Sequence, residues 1–430
     1  MLPVRVGWKL DPTPAGLSAQ ASARNFPQGV EASIDPASQR RGEPMPFILS
    51  QMIEAYRWIG ALIVISVHST NTFVNLADIM TAPHGPLVYV WWFVVNFGLG
   101  HQLVLGFFVL SGYLVGGAVL ANIRKQKDFI REYLIHRFVR IYIVIVPTLL
   151  LTVVLDGAGR QLPNPIFYDI PAFKGHFTAA VFLANLASVQ EILAPPFGTN
   201  SPLWSLACEF WYYICFPLLA LPLARNYDAR LRYGGFTLGA AIFLFLGAAS
   251  PWFRFGFLLW VIGALASLPA RPLIASRWTS LAIYVAALTF IRLVVRGPLL
   301  EAHPYLQDAA DLIGALVLVN LLLTVRHGPQ EGWDALRPKF HHSFADFSFS
   351  IYSIHMPILI LCRALADSYL GAGWAQQLAT PAHWWTLAGV LVLIVTTSYG
   401  FSRLTEAKTG AGRRYLSAKL PQLALATRGA

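Results

Sequence analysis

Two histidines lie inside long apolar stretches, where an ionisable side chain is costly and needs a partner. His68 follows Arg57 by about three helical turns, so it would lie about 16 Å beyond that arginine, near the middle of a membrane span. A neutral imidazole there suits a general base; the alternative is a structural hydrogen bond to a neighbouring helix. His355 has a similar depth in a later stretch and shares a helix face with Tyr352. Pro357, just beyond it, should free a backbone carbonyl for a polar contact.

Arg137 and Arg140 lie three residues apart, on one face of a helix that enters an apolar stretch from a basic connector. Two guanidinium groups at an inner membrane surface suit the phosphates of a phosphorylated donor. The alternative is the ordinary basic charge of cytoplasmic loops, or contact with lipid headgroups.

A carboxylate lies inside another apolar stretch, which begins near Trp204. Glu209 is about two turns inside that stretch, and Ser205 lies one turn earlier on the same face. Such a carboxylate could orient a histidine or accept hydrogen bonds from a polyol; the alternative is a structural pairing with an arginine. Ser111 lies among glycines that let helices approach closely, so local hydrogen bonding at a helix crossing is its expected role.

The composition predicts the elements that position these residues. The chain has 430 residues, of which 56% are hydrophobic and only 12% charged, about half the charged share of a soluble protein. This indicates an all-α polytopic membrane protein. Three cysteines without CxxC spacing suggest neither disulfides nor a metal site. Ten spans of sufficient length are predicted at 56–76, 102–121, 138–156, 203–223, 236–249, 253–269, 279–296, 309–325, 344–366 and 384–404.

The basic residues predict the topology. With ten spans and the N-terminus inside, 26 Lys and Arg fall in inner segments and four in outer segments. The run 175–193 is ambiguous, but if it crossed the membrane, 14 basic residues would move outside. The positive-inside rule therefore places both termini in the cytoplasm and makes 175–193 an interfacial or re-entrant helix in an outer connection, 157–202. The same rule accounts for the net charge of +11, so a nucleic-acid partner is not expected.

Three regions are expected along the chain. Residues 1–50 are polar and without a signal-peptide core, which predicts a disordered cytoplasmic tail, with Met45 and Met52 as possible natural starts. Residues 51–408 form the transmembrane domain, and 409–430 a cytoplasmic C-terminal tail. The sequence lacks a phosphate loop, a dinucleotide motif, an HExxH motif and a nucleophile elbow.

Taken in chain order, these segments resemble the acyltransferase 3 family of bacterial integral membrane acyltransferases, from about Met52 to Lys408. The resemblance rests on six elements in the family's order. The matching positions are Arg57 with His68, Phe107 to Leu114, Arg137 with Arg140, Trp204 to Glu209, Ser348 with Tyr352 and His355, and Glu406.

The resemblance implies transfer of an acyl group, usually acetyl from cytoplasmic acyl-CoA, to a hydroxyl of a saccharide or glycan-like acceptor in the bacterial inner membrane. It implies catalytic roles for His68 and Glu209, with His68 as the general base and Glu209 toward the acceptor. Acyl-CoA would contact Arg57, Arg137 and Arg140. Substrate contacts are expected from Ser111, Trp204, Ser205, Tyr352 and His355. A covalent acyl relay and, as a different class, a transporter of lipid-linked sugars or small solutes remain alternatives.

Overall fold

The structure, a computed structural model, describes residues 45–74, 83–96, 99–295, 297–331, 338–374 and 380–420. Its elements are helical. They are α1 Phe47–Phe73, α2 Pro86–Asn96, α3 Leu99–Ser111, a π-helical turn Gly112–Gly116, α4 Gly117–Arg124, α5 Ile130–Gly159, α6 Ala179–Leu186, α7 Trp204–Ala220, α8 Ala229–Ala249, α9 Pro251–Ala266, α10 Arg277–Val294, α11 Gly297–Ala302, α12 Tyr305–His327, α13 Pro338–Ala345, α14 Ser348–Tyr369, α15 Pro381–Leu404 and α16 Thr409–Lys419.

Within these residues, nine helical segments are long and apolar enough to cross a membrane. Two shorter helices in these residues are also apolar, Pro86–Val95 and Pro251–Ala266, and the second covers most of the predicted span 253–269. Helix α9 follows α8 after Ser250 and packs against it in a tight hairpin. The Ser250 side chain caps the first turn of α9 by accepting a 3.3 Å hydrogen bond from Phe253 N. The chain is an all-α polytopic membrane protein. In the segment predicted as an outer connection, the helix near 175–193 has only eight residues.

The outward faces of the helices are apolar, which a soluble bundle would not tolerate. In α8, Leu244 and Phe245 are 67% and 65% exposed, although the helix has the length and apolarity of a span. Apolar side chains on the outside of a span are stable against lipid, because exposing them to water costs free energy.

Helix boundaries differ from the prediction at both ends of the transmembrane domain. α1 begins at Phe47, nine residues before the predicted start of the first span, so Phe47–Ser50, at the end of the predicted N-terminal tail, are helical. Glu54, in this early part, is buried and pairs with His342 at 3.2 Å, which makes a carboxylate tolerable in the helix. The rest of the predicted N-terminal tail, 1–44, lies outside the described residues.

The predicted C-terminal tail begins as an ordered helix. α16 packs along the first half of α5, where a Cβ at Gly412 would approach Val139 to 2.9 Å. Arg131 ties the end of α16 to α5 by donating to the carbonyl oxygen of Ser417 at 2.7 Å. Residues 421–430 lie outside the described part.

Glycines set the closest helix crossing, as the small residues of this segment predict. The π-helical turn after α3 packs against α9, and a Cβ at Gly112 would overlap the carbonyl oxygen of Trp260. Reciprocally, a Cβ at Gly263 on α9 would overlap the carbonyl oxygen of Val109. Backbone meets backbone on both sides, so neither glycine can be replaced without moving a helix.

Gly112→Ala is therefore expected to destabilise the fold by about 1–3 kcal/mol, the usual cost of overpacking. The matched control is Gly389→Ala in α15, where an added Cβ would meet no atom within 4 Å and where alanine is the better helix former. The measurement is unfolding by SDS titration in mixed micelles, followed by circular dichroism. Equal midpoints for the two variants would contradict the packing argument.

Candidate active site

Helix α14 brings the two predicted histidines together. It packs against α1, α5 and α15. At its contact with α1, His68 Nδ1 lies 2.8 Å from His355 Nε2, and the two rings are stacked with their centroids 5.1 Å apart. His355 is fully buried, whereas His68 is half-buried. The pairing of an ionisable residue in one span with an ionisable residue in another is what makes both tolerable at this depth.

Hydrogen bonds fix which nitrogens carry protons in the neutral pair. The carbonyl oxygen of Tyr352 can only accept, so His355 Nδ1, 2.8 Å from it, carries hydrogen. A neutral imidazole has one ring proton, so His355 Nε2 accepts and His68 Nδ1 donates to it. His68 Nε2 is left unprotonated, and it makes no hydrogen bond to any residue the structure describes.

A proline in α14 links the histidine pair to the segment before α7. Pro357 has no N–H, so the carbonyl of Ser353, one turn earlier, lacks its helical partner. Asn200 fills that place, donating from Nδ2 to the Ser353 oxygen at 2.9 Å. The freed carbonyl predicted from the sequence thus finds its polar contact, and the contact comes from the predicted outer connection.

The same connection is held on its other side by a buried carboxylate at the end of α5. Asp156 is fully buried and accepts from the backbone N and the hydroxyl of Thr199, at 2.7 and 2.8 Å. A buried carboxylate with two donors is a strong anchor. Thr199 and Asn200, just before α7, are therefore held in fixed positions beside the helix that carries His355.

Ser205, in the first turn of α7, lies next to Tyr352 on α14. Their hydroxyl oxygens are 2.6 Å apart, and the Tyr352 hydroxyl also donates to the carbonyl oxygen of Pro202. Tyr352 thus holds the start of α7 with its side chain and holds His355 with its carbonyl. Both interactions are those of a residue that positions others.

The predicted arginines form a basic cluster. Arg140 pairs with the buried Glu406 at 3.2 Å, and Arg57 is close enough to interact electrostatically with both. Arg137 stacks on Tyr213, with 5.7 Å from its guanidinium carbon to the ring centroid. Within the described chain, neither Arg57 nor Arg137 makes an ion pair, so both guanidinium groups keep donors for an anion.

Arg413, on α16, belongs to the same cluster and was not predicted. It interacts electrostatically with Arg137 and Arg140. With Arg57, the cluster contains four guanidinium groups. Four carboxylates interact electrostatically with its members, those of Glu406, Glu209, Asp346 and Glu54. Guanidinium groups are suited to binding phosphate.

Glu209 lies on the arginine side of the site. It is within hydrogen-bonding reach of Ser111 and Tyr213, and it interacts electrostatically with Arg137 and Arg140. Ser111 in turn lies 3.1 Å from the Tyr213 hydroxyl and accepts from the indole nitrogen of Trp260 at 3.1 Å. The local hydrogen bonding predicted for Ser111 at a crowded crossing is confirmed.

The basic cluster and the histidine pair share helix α14. Glu406 accepts from the backbone N and the hydroxyl of Ser350, at 3.2 and 3.0 Å. Ser350 precedes His355 by five residues, a rise of about 7.5 Å along the helix. The basic cluster and the histidine pair are therefore fewer than two helical turns apart along α14.

Trp204 is not hydrogen-bonded to this group and belongs to a row of aromatic rings. Its ring centroid lies 6.0 Å from that of Phe108 and 6.1 Å from that of Trp252. Trp252 continues the row to His101, at 5.4 Å. The predicted site residues therefore fall into two groups. The first contains His68, His355, Tyr352 and Ser205. The second contains Arg57, Arg137, Arg140, Glu209 and Ser111.

No group of three or more His, Cys, Asp or Glu side chains that could hold a metal ion occurs in the described ranges. The two groups place a hydrogen-bonded histidine pair near a cluster of guanidinium groups.

Comparison with known proteins gives this arrangement a family. A family model described as "Acyltransferase domain", that of the acyltransferase 3 family, matches residues 52–402. Acyltransferase MdmB from Streptomyces mycarofaciens is 25% identical over 381 residues, which cover 86% of this chain and 84% of that protein. An uncharacterized protein from Haemophilus influenzae is 28% identical over 120 residues, 27% of this chain and 47% of that protein. No solved structure matches. Because the matched range covers most of its length, the chain belongs to the acyltransferase 3 family and is an integral membrane acyltransferase.

Proposed function

We propose that this protein transfers an acyl group, acetyl in the first instance, from cytoplasmic acyl-CoA to a hydroxyl of a saccharide or glycan-like acceptor. The observation that carries the proposal is the chain from the Tyr352 carbonyl through His355 to His68, because it leaves His68 Nε2 as an unprotonated base. The neighbouring basic cluster supports a donor with phosphates.

In the proposed reaction, His68 Nε2 takes the proton of the acceptor hydroxyl while the oxygen attacks the thioester carbonyl. The resulting imidazolium keeps its Nδ1–H bond to His355 Nε2, so its charge is stabilised without any movement. As the tetrahedral intermediate collapses, the carbon–sulfur bond breaks and the CoA sulfur takes the proton back from Nε2. His355 then acts as a positioning residue rather than a substrate contact, and Glu209 as a member of the donor side.

The first test uses purified protein in lipid nanodiscs with radiolabelled acetyl-CoA, with and without a bacterial glycan extract. Release of CoA that depends on the extract, with label recovered in the glycan, is the expected result. Binding and movement of a sugar without CoA release would instead indicate the transporter class.

The proposal also includes an orientation in the bacterial inner membrane, with both termini in the cytoplasm. It is supported by the placement of Lys and Arg and by the basic cluster, which would then meet cytoplasmic acyl-CoA. Asp169 is 70% exposed in the predicted outer connection, and Lys419 is exposed at the end of α16.

Asp169→Cys is therefore expected to react with a membrane-impermeant maleimide in whole spheroplasts, and Lys419→Cys only after the membrane is opened. The unsubstituted chain is the control, because Cys208 and Cys215 are buried and Cys362 is half-buried. The reverse labelling pattern would overturn the orientation.

A further inference from the structure

A second polar cluster lies apart from the histidine pair and the arginines, and nothing in the reaction above uses it. At its centre is Asp311 on α12, which is fully buried. Its carboxylate accepts from Gln102 at 2.6 Å, from Gln307 at 2.8 Å and from His101 Nε2, which lies 2.9 Å away. A buried carboxylate that accepts hydrogen bonds from three side chains orients all three.

The orientation leaves a set of acceptors. Both glutamines donate an amide N–H to Asp311, so their side-chain oxygens do not face that carboxylate. His101 donates from Nε2, which leaves Nδ1 as an acceptor in the neutral ring. An amide oxygen, such as that of Gln307, and the free nitrogen of a neutral imidazole are partners for hydroxyl groups.

A pocket lies directly against this cluster. It has a volume of about 200 Å³ and is lined by His101, Gln102, Ile291, Arg292, Val295 and Gln307. That is smaller than the roughly 300–1,000 Å³ pockets that enclose drug-sized ligands, and it is the scale of a single sugar ring. Trp252 packs edge-on against His101, with 5.4 Å between the ring centroids.

The pocket lies at the depth of His68. α1 and α3 pack side by side, and a Cβ at Gly100 would lie 3.5 Å from Val67. Gly100 is the residue before His101, and Val67 is the residue before His68. The row of aromatic rings through Trp252 leads from His101 to Trp204, the neighbour of Ser205 in α7.

We infer that the Asp311 cluster and its pocket bind one pyranose ring of the acceptor through its hydroxyl groups. This inference rests on the proposed function and adds the place at which the acceptor is recognised. Asp311 acts as a positioning residue, and His101, Gln102 and Gln307 contact the sugar.

Binding is tested without any activity measurement, through the reaction of histidines with diethyl pyrocarbonate. In full-length protein in nanodiscs, methyl glucoside, galactoside, mannoside and N-acetylglucosaminide are the probes, and tetrahydropyran is the ring without hydroxyls. His101 is 33% exposed, and His303, exposed just before α12, is the internal control.

At least one glycoside is expected to slow the modification of His101 about fivefold or more, with tetrahydropyran and His303 showing no change. An unchanged rate at His101 with all four glycosides would overturn the inference.

The second test separates acceptor from donor. Gln307→Leu removes one amide acceptor at nearly constant size, and it is expected to raise the KM for glycan about fivefold, leaving kcat and the KM for acetyl-CoA unchanged. The matched control is Asp308→Asn, the exposed neighbour. An unchanged glycan KM in an active enzyme sinks the sugar site alone, whereas a wild-type protein that releases no CoA sinks the proposed function.

Discussion

His68→Ala is expected to lower kcat for acyl transfer by about 10²–10⁴-fold, the range that general acid–base catalysis contributes. The KM for acetyl-CoA should change little, because the proposed phosphate site is the arginine cluster, in which Arg57 lies about 16 Å from His68 along α1. The rate of the wild type should fall as the pH is lowered, since a protonated imidazole cannot accept a proton. The residual rate of the variant should lose that dependence. Transfer is measured as label incorporated into glycan.

His355 provides the sharper half of this prediction. His355→Ala leaves His68 Nδ1–H without its acceptor, so the ring loses its fixed orientation and the imidazolium its stabilising partner. A hydrogen bond to a charged group contributes about 1.5–3 kcal/mol, which corresponds to about 10–150-fold in kcat. His355→Gln carries an amide oxygen near the position of Nε2 and should recover part of the loss.

The matched control is His303→Ala, an exposed histidine outside both proposed binding regions, which should retain full activity. Rescue by glutamine separates positioning from mere packing, because a packing role would be served as well by His355→Leu. If His68→Ala kept its transfer rate, both the base and an acyl relay through His68 would be excluded. An acetyl adduct on His68 after rapid quenching would favour the relay over direct attack.

Arg140→Gln is expected to raise the KM for acetyl-CoA by about 10–100-fold, because a charged hydrogen bond to phosphate is lost and Glu406 is left without its cation. Arg413→Gln should act in the same direction with a smaller effect, since it lies at the margin of the cluster. The measurement is the donor dependence of CoA release at saturating glycan.

A donor without phosphates separates a phosphate contact of Arg140 from an effect on the fold. S-acetylpantetheine has the thioester but no phosphates, so the wild type and Arg140→Gln should use it with nearly equal KM. Arg403→Gln, an exposed arginine at the end of α15, is the matched control and should leave both donors unaffected. An equal loss with both donors would show that Arg140 acts on the fold and not on the nucleotide phosphates.

Much of the fold was predictable because lipid imposes a simple rule on it. Apolar stretches of span length became helices, and Ser250 with Pro251 marked the hairpin between α8 and α9. The early start of α1 was not predictable, because Glu54 argues against a buried helix until its partner His342 is known. α2 was missed since its 11 residues are too few for a span.

The candidate site was predictable in its residue types and not in its pairings. His68 and His355 are 287 positions apart, and neither residue alone shows that they meet. Arg413 lay in a segment expected to be a tail, where basic residues are ordinary. His101 and Asp311 were overlooked because each, taken alone, is an isolated polar residue near the end of an apolar stretch.

The contact between Asn200 and the Ser353 carbonyl has a consequence for biogenesis. Pro357 gives α14 an unsatisfied backbone oxygen, which is costly for a helix that enters lipid alone. The residue that satisfies it lies 153 positions earlier and has therefore left the ribosome long before α14 is synthesised. α14 would then be inserted late and completed only on docking against a scaffold already made, which would tie assembly of the histidine pair to the final stage of maturation.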